Sequence, residues 1–197
     1  PEARAVLSRG IEYLSMPQAV NRFLARDKKI VMVAGTHGKT TTSSIMAHIL
    51  DTAGMDPSFM IGGIVNGFDS SFRIGTGDHM VIEGDEYDTA FFDKGPKFMH
   101  YDPFITIMTG IEFDHADIFT DIDHIKSVFR QLAVKTLKNS RIIAYQPNSN
   151  LTDVLADLPG EIDFYGQGAP WSVRDHEIID GLTQFVVSGP DTRLDIT

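Results

Sequence analysis

The residues Gly35-Thr36-His37-Gly38-Lys39-Thr40-Thr41-Thr42 combine the side-chain types that hold a phosphate group. Glycines let backbone N–H groups turn inward around an anion, and the lysine adds a mobile positive charge. Lys39 is placed to reach the β- and γ-phosphates of a nucleotide, and the Thr40 hydroxyl to bind Mg²⁺. The common phosphate loop carries a further glycine, at the position held here by Val33. The loop is therefore a shorter form that starts at Gly35.

Such a loop works only between a strand and a helix. Lys29–Ala34 is an apolar, β-branched run and reads as a buried strand. Ser43 to Ala53 has helical spacing, with Ile45, Met46, Ile49 and Leu50 as its apolar face and a stop at Gly54. The start of that helix presents its positive end to an anion. Ligands of open α/β sheets bind beyond the carboxyl ends of the strands. Two more strands end in chemistry there. His79–Ile82 leads into Glu83-Gly84-Asp85-Glu86-Tyr87-Asp88, and Phe104–Met108 leads into Thr109-Gly110-Ile111-Glu112-Phe113-Asp114-His115-Ala116-Asp117. A phosphate loop and two acidic clusters on one edge suit Mg–ATP, because Mg²⁺ takes a few protein oxygens and leaves the rest to phosphate and water.

The remaining chain supplies the frame. Ser15-Met16-Pro17-Gln18 forms a capping box for a helix whose apolar face is Val20, Phe23 and Leu24. Ser58–Ile61 reads as a short strand into Gly62-Gly63, and Asn66 to Asp78 as a loop. Phe91, Phe92, Phe98 and Tyr101 read as a local core. Asp121 starts a long helix with Ile125, Val128, Phe129, Leu132 and Ala133 on one side. Arg141–Tyr145 is a strand, Thr152–Leu158 a helix and Asp163–Tyr165 a strand. Ser172–Ile179 and Leu182–Ser188 flank Asp180-Gly181, the signature of a hairpin on which Trp171 packs. Arg193 to Thr197 alternates like another strand. The expected fold is α/β: a mostly parallel sheet flanked by helices, with a small antiparallel β extension near the C-terminus.

Composition narrows the function classes. A chain of 197 residues is one domain, or one with fragments of its neighbours. Its net charge of −10, without a basic block, carries no nucleic-acid footprint. Nucleotide binding must then rest on local donors and metal rather than on the overall field. The absence of cysteine removes disulfides, zinc–thiolate sites and cysteine nucleophiles, and fits a reducing compartment. No apolar run of about 18 residues occurs, so no membrane helix is expected. Pro1 to Gly10 is charged and lacks the apolar core of a signal peptide. Both ends read as cut through a longer protein.

The chain resembles the Mur ligase family, the ATP-dependent amide-forming enzymes of peptidoglycan synthesis. The short loop Gly35–Thr41 matches that family's phosphate loop, Glu83 its Mg²⁺-holding glutamate, and Asp114-His115-x-Asp117 its Asp-His motif. Within the family, Glu83–Lys94, Phe98–Tyr101 and Glu112–Phe119 look like the branch that recycles muropeptides. The L-alanine-adding branch stays open as an alternative. So do a regulatory nucleotide-binding module and a kinase-like phosphotransferase, although neither of these needs the Glu83 and Asp114-His115 clusters. Arg130 stands where most of the family carries a modified lysine, which these two branches also tend to lack.

The resemblance implies a central ATP-binding domain over residues 29–197, truncated at its C-terminal end. Residues 1–28 would be remnant helices from a missing UDP-binding domain, and the C-terminal ligase domain would be absent, as would the adenine contacts expected beyond Thr197. It implies ATP and Mg²⁺ as cofactors, a cytoplasmic location, and UDP-N-acetylmuramate and a muropeptide tripeptide as partners. The implied catalytic set is Lys39, Glu83 and His115, with nucleotide contacts from Gly35, Thr36, His37, Gly38, Lys39, Thr40 and Thr41. Thr40 and Glu83 would hold one Mg²⁺ and His115 a second. His37 is expected to face the substrate carboxylate or the nucleotide, whereas His48, His79, His100, His124 and His176 carry no site argument.

Overall fold

A computed structural model describes residues 2–114, 119–138 and 140–196. His115 and Asp117 lie outside the described residues. The chain opens with α1 (Glu2–Ser8) and α2 (Met16–Val20), which runs on into a π-helical turn, Asn21–Ala25. There follow β1 (Lys29–Ala34), α3 (Lys39–Thr52), β2 (Ser58–Val65), β3 (Ser70–Arg73) and β4 (His79–Gly84). A small hairpin, β5 (Asp88–Ala90) and β6 (Asp93–Pro96), leads through a 3₁₀ turn (Lys97–His100) into β7 (Pro103–Met108). Next come α4 (Ile122–Leu137), β8 (Arg141–Tyr145), α5 (Ser149–Leu155) and β9 (Glu161–Tyr165). The chain ends with β10 (Ser172–Ile179), β11 (Leu182–Ser188) and β12 (Arg193–Ile196).

Seven strands form one sheet in the order β3-β2-β4-β1-β7-β8-β9. All pairings are parallel except β2 with β3. The chain leaves β1 toward β2 and β4 on one side and later returns to β7 on the other. The carboxyl end of β1 is therefore the switch point where such sheets bind ligands. Register keeps the edge flush: Val33 lies beside Glu83 and Ile107, and Ala34 beside Gly84 and Met108.

Alternation along β1 divides the core between two faces. Val31 and Val33 pack with Ala47, Phe59, Ile61 and Val81 under α3. Ile30, Met32 and Ala34 face the larger cluster, in which Phe98, Phe129, Leu132 and Leu151 come from the 3₁₀ turn, α4 and α5. Burying β1 on both sides explains why its sequence is apolar without interruption. The β10–β12 strands form a separate antiparallel sheet, as the sequence predicts. Asp180 and Gly181 have φ of 52° and 81°, the backbone of a type I′ hairpin turn. Trp171 packs flat against Gly189, where a Cβ would stand 2.5 Å from the ring. No described helix is long and apolar enough to cross a membrane.

Several expectations change. Val20 is buried, but Phe23 and Leu24 are exposed, because the π turn shifts the angular spacing of side chains after Val20. On α3 the packed face is Ser43, Met46, Ala47 and Leu50, and Ile45 and Ile49 point outward. Strand β2 runs through Gly62-Gly63 to Val65, and the expected loop contains β3, paired back onto β2. The 149–155 helix starts earlier than expected because Asn148, not a later residue, caps it. Phe98 and Tyr101 are core residues, whereas Phe91 is exposed and Phe92 stacks edge-on against Tyr13.

Candidate functional site

Gly35 leaves β1 with φ of 143°, and Gly38 caps α3 with φ of 81°. Both angles lie where L side chains are strained. At Gly35 space is also closed: a Cβ would collide with Thr109 Oγ1 and stand 2.9 Å from the Gly110 carbonyl. The loop after β7 is thus pressed onto the phosphate loop. Thr109 N donates to Ala34 O (3.0 Å) and Thr109 Oγ1 to His37 O (2.6 Å). Thr36 N donates to Gly110 O (3.0 Å), and Thr36 Oγ1 accepts from Glu112 N (2.9 Å). The second loop is braced in turn by α5. Asn148 Oδ1 accepts from Ile111 N (3.2 Å) while capping Leu151 N (2.8 Å), and Asn150 Nδ2 donates to Ile111 O (2.9 Å).

A cleft of about 500 Å³ opens over this scaffold. Its lining brings together Thr36, His37, Gly38, Lys39, Thr40 and Thr41 with Glu83, Asp85, Glu86, Tyr87 and Asp114. Of the sequence-predicted site residues, Gly35 lies beneath the cleft as its support. His37 Nε2 is 3.7 Å from Glu112 Oε2, and both side chains are exposed. His115 lies outside the described residues, and with it the second metal position.

Lys39 lines the cleft, but its ammonium group is held by the loop itself and by Glu86. Its Nζ donates to Gly35 O (2.6 Å) and Thr36 O (3.2 Å), and pairs with Glu86 Oε1 (3.1 Å). Glu86, only 3% exposed, is a site residue that sequence reasoning placed in an acidic cluster without a role. Its segment is fixed from below: Asp85 pairs with Lys97 (2.6 Å) and accepts from Tyr87 N (2.8 Å). Burial and the Asp85 charge together push the Tyr101 phenol well above its usual range.

Strand β2 contributes a second unforeseen feature. A Cβ on Gly62 would stand 2.9 Å from Glu83 Oε2, and one on Gly63 3.1 Å from Thr40 Cγ2. Glu83 and Thr40 therefore lie over adjacent glycines of one strand. Glu83 Oε1 is buried without a hydrogen-bond partner among the described residues. A buried carboxylate oxygen of that kind is costly unless something completes its shell. In a cleft that Thr40 also lines, it fits a hard, oxygen-seeking cation that draws its other ligands from phosphate and water. The described residues hold no cluster of three or more His, Cys, Asp or Glu that would cage a metal alone.

Larger depressions lie elsewhere. One of about 770 Å³ runs along α4, where Lys126 pairs with Asp153 (3.0 Å) and Lys135 with Asp102 (3.1 Å). Arg130 in the same depression donates to Val154 O (2.8 Å) at the end of α5 and takes no part in the cleft lining. The phosphate-loop cleft combines a glycine-capped helix N-terminus, a lysine and acidic oxygens.

Residues 33–180 match the Mur ligase middle domain. The chain is 42% identical over 175 residues to the UDP-N-acetylmuramate--L-alanyl-gamma-D-glutamyl-meso-2,6-diaminoheptandioate ligase of Escherichia coli, covering 88% of this chain and 38% of that protein. It is 30% identical over 191 residues to the UDP-N-acetylmuramate--L-alanine ligase of Alkaliphilus metalliredigens, covering 95% of this chain and 40% of that one. The crystal structure of UDP-N-acetylmuramate:L-alanyl-gamma-D-glutamyl-meso-diaminopimelate ligase from Neisseria meningitides superposes with a TM-score of 0.87 at 35% identity, over 97% of this chain and 61% of that one. The chain thus spans well under half the length of the curated relatives it matches.

Proposed function

The chain belongs to the Mur ligase family, and from that premise we propose that it is the ATP-binding part of a ligase that joins UDP-N-acetylmuramate to L-alanyl-γ-D-glutamyl-meso-diaminopimelate. Residues 29–197 are the central domain on this reading, and residues 1–28 lead in from a UDP-binding domain. The observation that carries the nucleotide site is the convergence in one cleft, at the sheet's switch point, of Lys39, Thr40 and a Glu83 Oε1 that has no hydrogen-bond partner among the described residues. The choice of acceptor rests on the 42% identity to a tripeptide-adding relative, against 30% and 35% to two L-alanine-adding ones.

The reaction passes the γ-phosphate of ATP to the lactyl carboxylate of UDP-N-acetylmuramate, giving an acyl phosphate and releasing ADP. The amine of the tripeptide attacks its carbonyl carbon, and the tetrahedral adduct collapses to amide and phosphate. The physical obstacle is repulsion between a carboxylate and a triphosphate. The N–H groups of Gly38 to Thr41 at the start of α3 face the anion, and Lys39 neutralises charge shifted onto phosphate oxygens. Thr40 and Glu83 would hold Mg²⁺, which supplies Lewis-acid stabilisation of the transferred phosphoryl group. His115 would hold a second Mg²⁺. His37, whose side chain is exposed, would orient the carboxylate or contact the nucleotide.

The test uses the full-length protein with ATP, Mg²⁺ and UDP-N-acetylmuramate, following phosphate release with L-alanine or with the tripeptide. Release with the tripeptide and not with L-alanine is expected. The reverse makes it the L-alanine-adding enzyme. Release with neither, from protein that binds ATP, overturns the ligase reading.

A further inference from the structure

An ammonium group has three protons to donate. Lys39 Nζ has three acceptors around it: Gly35 O at 2.6 Å, Thr36 O at 3.2 Å and Glu86 Oε1 at 3.1 Å. The lysine's donor capacity is thus taken up by its own surroundings. Its side chain is 17% exposed and that of Glu86 3%, so water competes little for either. A phosphate oxygen cannot be added to this set without displacing a member of it. The two carbonyls belong to the loop that wraps the phosphate. Glu86 comes from a different segment and brings a negative charge to the same place.

That segment is held firmly. Asp85 is tied to Lys97 (2.6 Å) and to Tyr87 N (2.8 Å), and the Asp85 and Tyr87 carbonyls accept from Phe98 N (3.2 Å) and Lys97 N (3.1 Å). Phe98 is wholly buried in the main core. The carboxylate is therefore fixed, and the flexible lysine is the partner that moves. We propose that Glu86 is a positioning residue, a fixed counter-ion that holds Lys39 back in the loop and surrenders it to nucleotide phosphates. This rests on the reading of the cleft as a Mg–nucleotide site. Nucleotide affinity is then set by competition. The fraction of molecules whose lysine is free of Glu86 scales the apparent dissociation constant.

The experiment measures Mg–ADP binding to the full-length protein by calorimetry. Glu86→Gln keeps the shape and the acceptor oxygen but removes the charge. It is expected to tighten Mg–ADP binding by roughly tenfold. In a Lys39→Met background the same substitution is expected to change nothing, because the effect runs through Lys39. A merely structural role would lower the melting temperature without tightening binding. Unchanged or weaker binding by folded Glu86→Gln overturns this inference alone, and so does equal tightening in the Lys39→Met background. If wild-type protein binds no Mg–ADP, the nucleotide-site reading itself falls and takes this one with it. A crystal structure of wild-type protein with Mg–ADP decides the matter even if the variant does not fold. Lys39 must have left Glu86, and a retained contact within about 3.5 Å overturns the proposal.

Discussion

Gly62 and Glu83 face each other across the paired strands β2 and β4, so closely that a Cβ on Gly62 would stand 2.9 Å from Glu83 Oε2. The neighbouring Gly63 does the same for Thr40. Strand interiors disfavour glycine, which loses more backbone entropy than other residues and packs nothing. Two in succession at this point make sense as clearance for the two side chains that would hold Mg²⁺.

Gly62→Ala separates that role from stability. The clash falls on the far end of a flexible side chain, which can swing aside at little cost, so the melting temperature should stay within a few degrees of wild type. The Glu83 carboxylate would nevertheless be displaced. In the full-length protein the Mg²⁺ concentration for half-maximal phosphate release should rise by roughly tenfold, a scale known for groups that position metal ligands. Unchanged Mg²⁺ dependence would remove Gly62, and with it the argument for Glu83, from the metal site.

Lys39→Ala addresses the transferred charge directly. Loss of an electrostatic contact to a developing oxyanion costs roughly 10²–10³ in rate. Phosphate release by the full-length variant should fall by at least that factor at saturating ATP. Turnover close to wild type would exclude the loop from the chemistry.

The phosphate loop, the strands that end at Glu83 and at Met108, and the type I′ hairpin were legible in sequence because each is local. Glycine, a β-branched run or an Asp-Gly pair fixes the backbone within a few residues. What was hidden depends on partners distant in the chain. Glu86 gains its role only because Lys39 folds back toward it, 47 residues away. Gly62 matters only through Glu83, and Asn148 only through the loop after β7. The outward face of Ile45 and Ile49 misled for a related reason. A lone helix shows two apolar stripes, and only the sheet decides that the small residues Ser43 and Ala47 pack inward.

Asp121 gives a pH signature of the long helix α4. Its carboxylate accepts from His124 N (2.8 Å) as the N-cap, and this backbone hydrogen bond is the chief reason its pKa lies below that of an ordinary aspartate. A folded pKa below the unfolded one means the contribution is fully present above about pH 4 and is lost as pH falls through the folded value. Asp121→Ala should therefore melt at a lower temperature than wild type at neutral pH. The gap should narrow progressively in melts taken below pH 4. A gap independent of pH would show that charge at the cap is irrelevant.

Asn148 joins a stability argument to the site. One side-chain oxygen accepts both Leu151 N, as the cap of α5, and Ile111 N, from the loop that presses on Gly35. Asn148→Ala removes both acceptors. Loss of the cap alone costs about 1 kcal/mol, and leaving a second, part-buried N–H without its acceptor about as much again. The expected penalty in urea melts is thus about 2 kcal/mol with an unchanged slope. Because the same oxygen fixes residues 110–112 against Thr36, amide exchange should quicken at Ile111 and Glu112 more than in the sheet beneath. Asn148→Asp keeps an acceptor for both N–H groups and should restore most of the loss. Failure of that rescue would assign the cost to packing against Gly110, where a Cβ would stand 3.2 Å from Asn148 Nδ2, rather than to the shared oxygen.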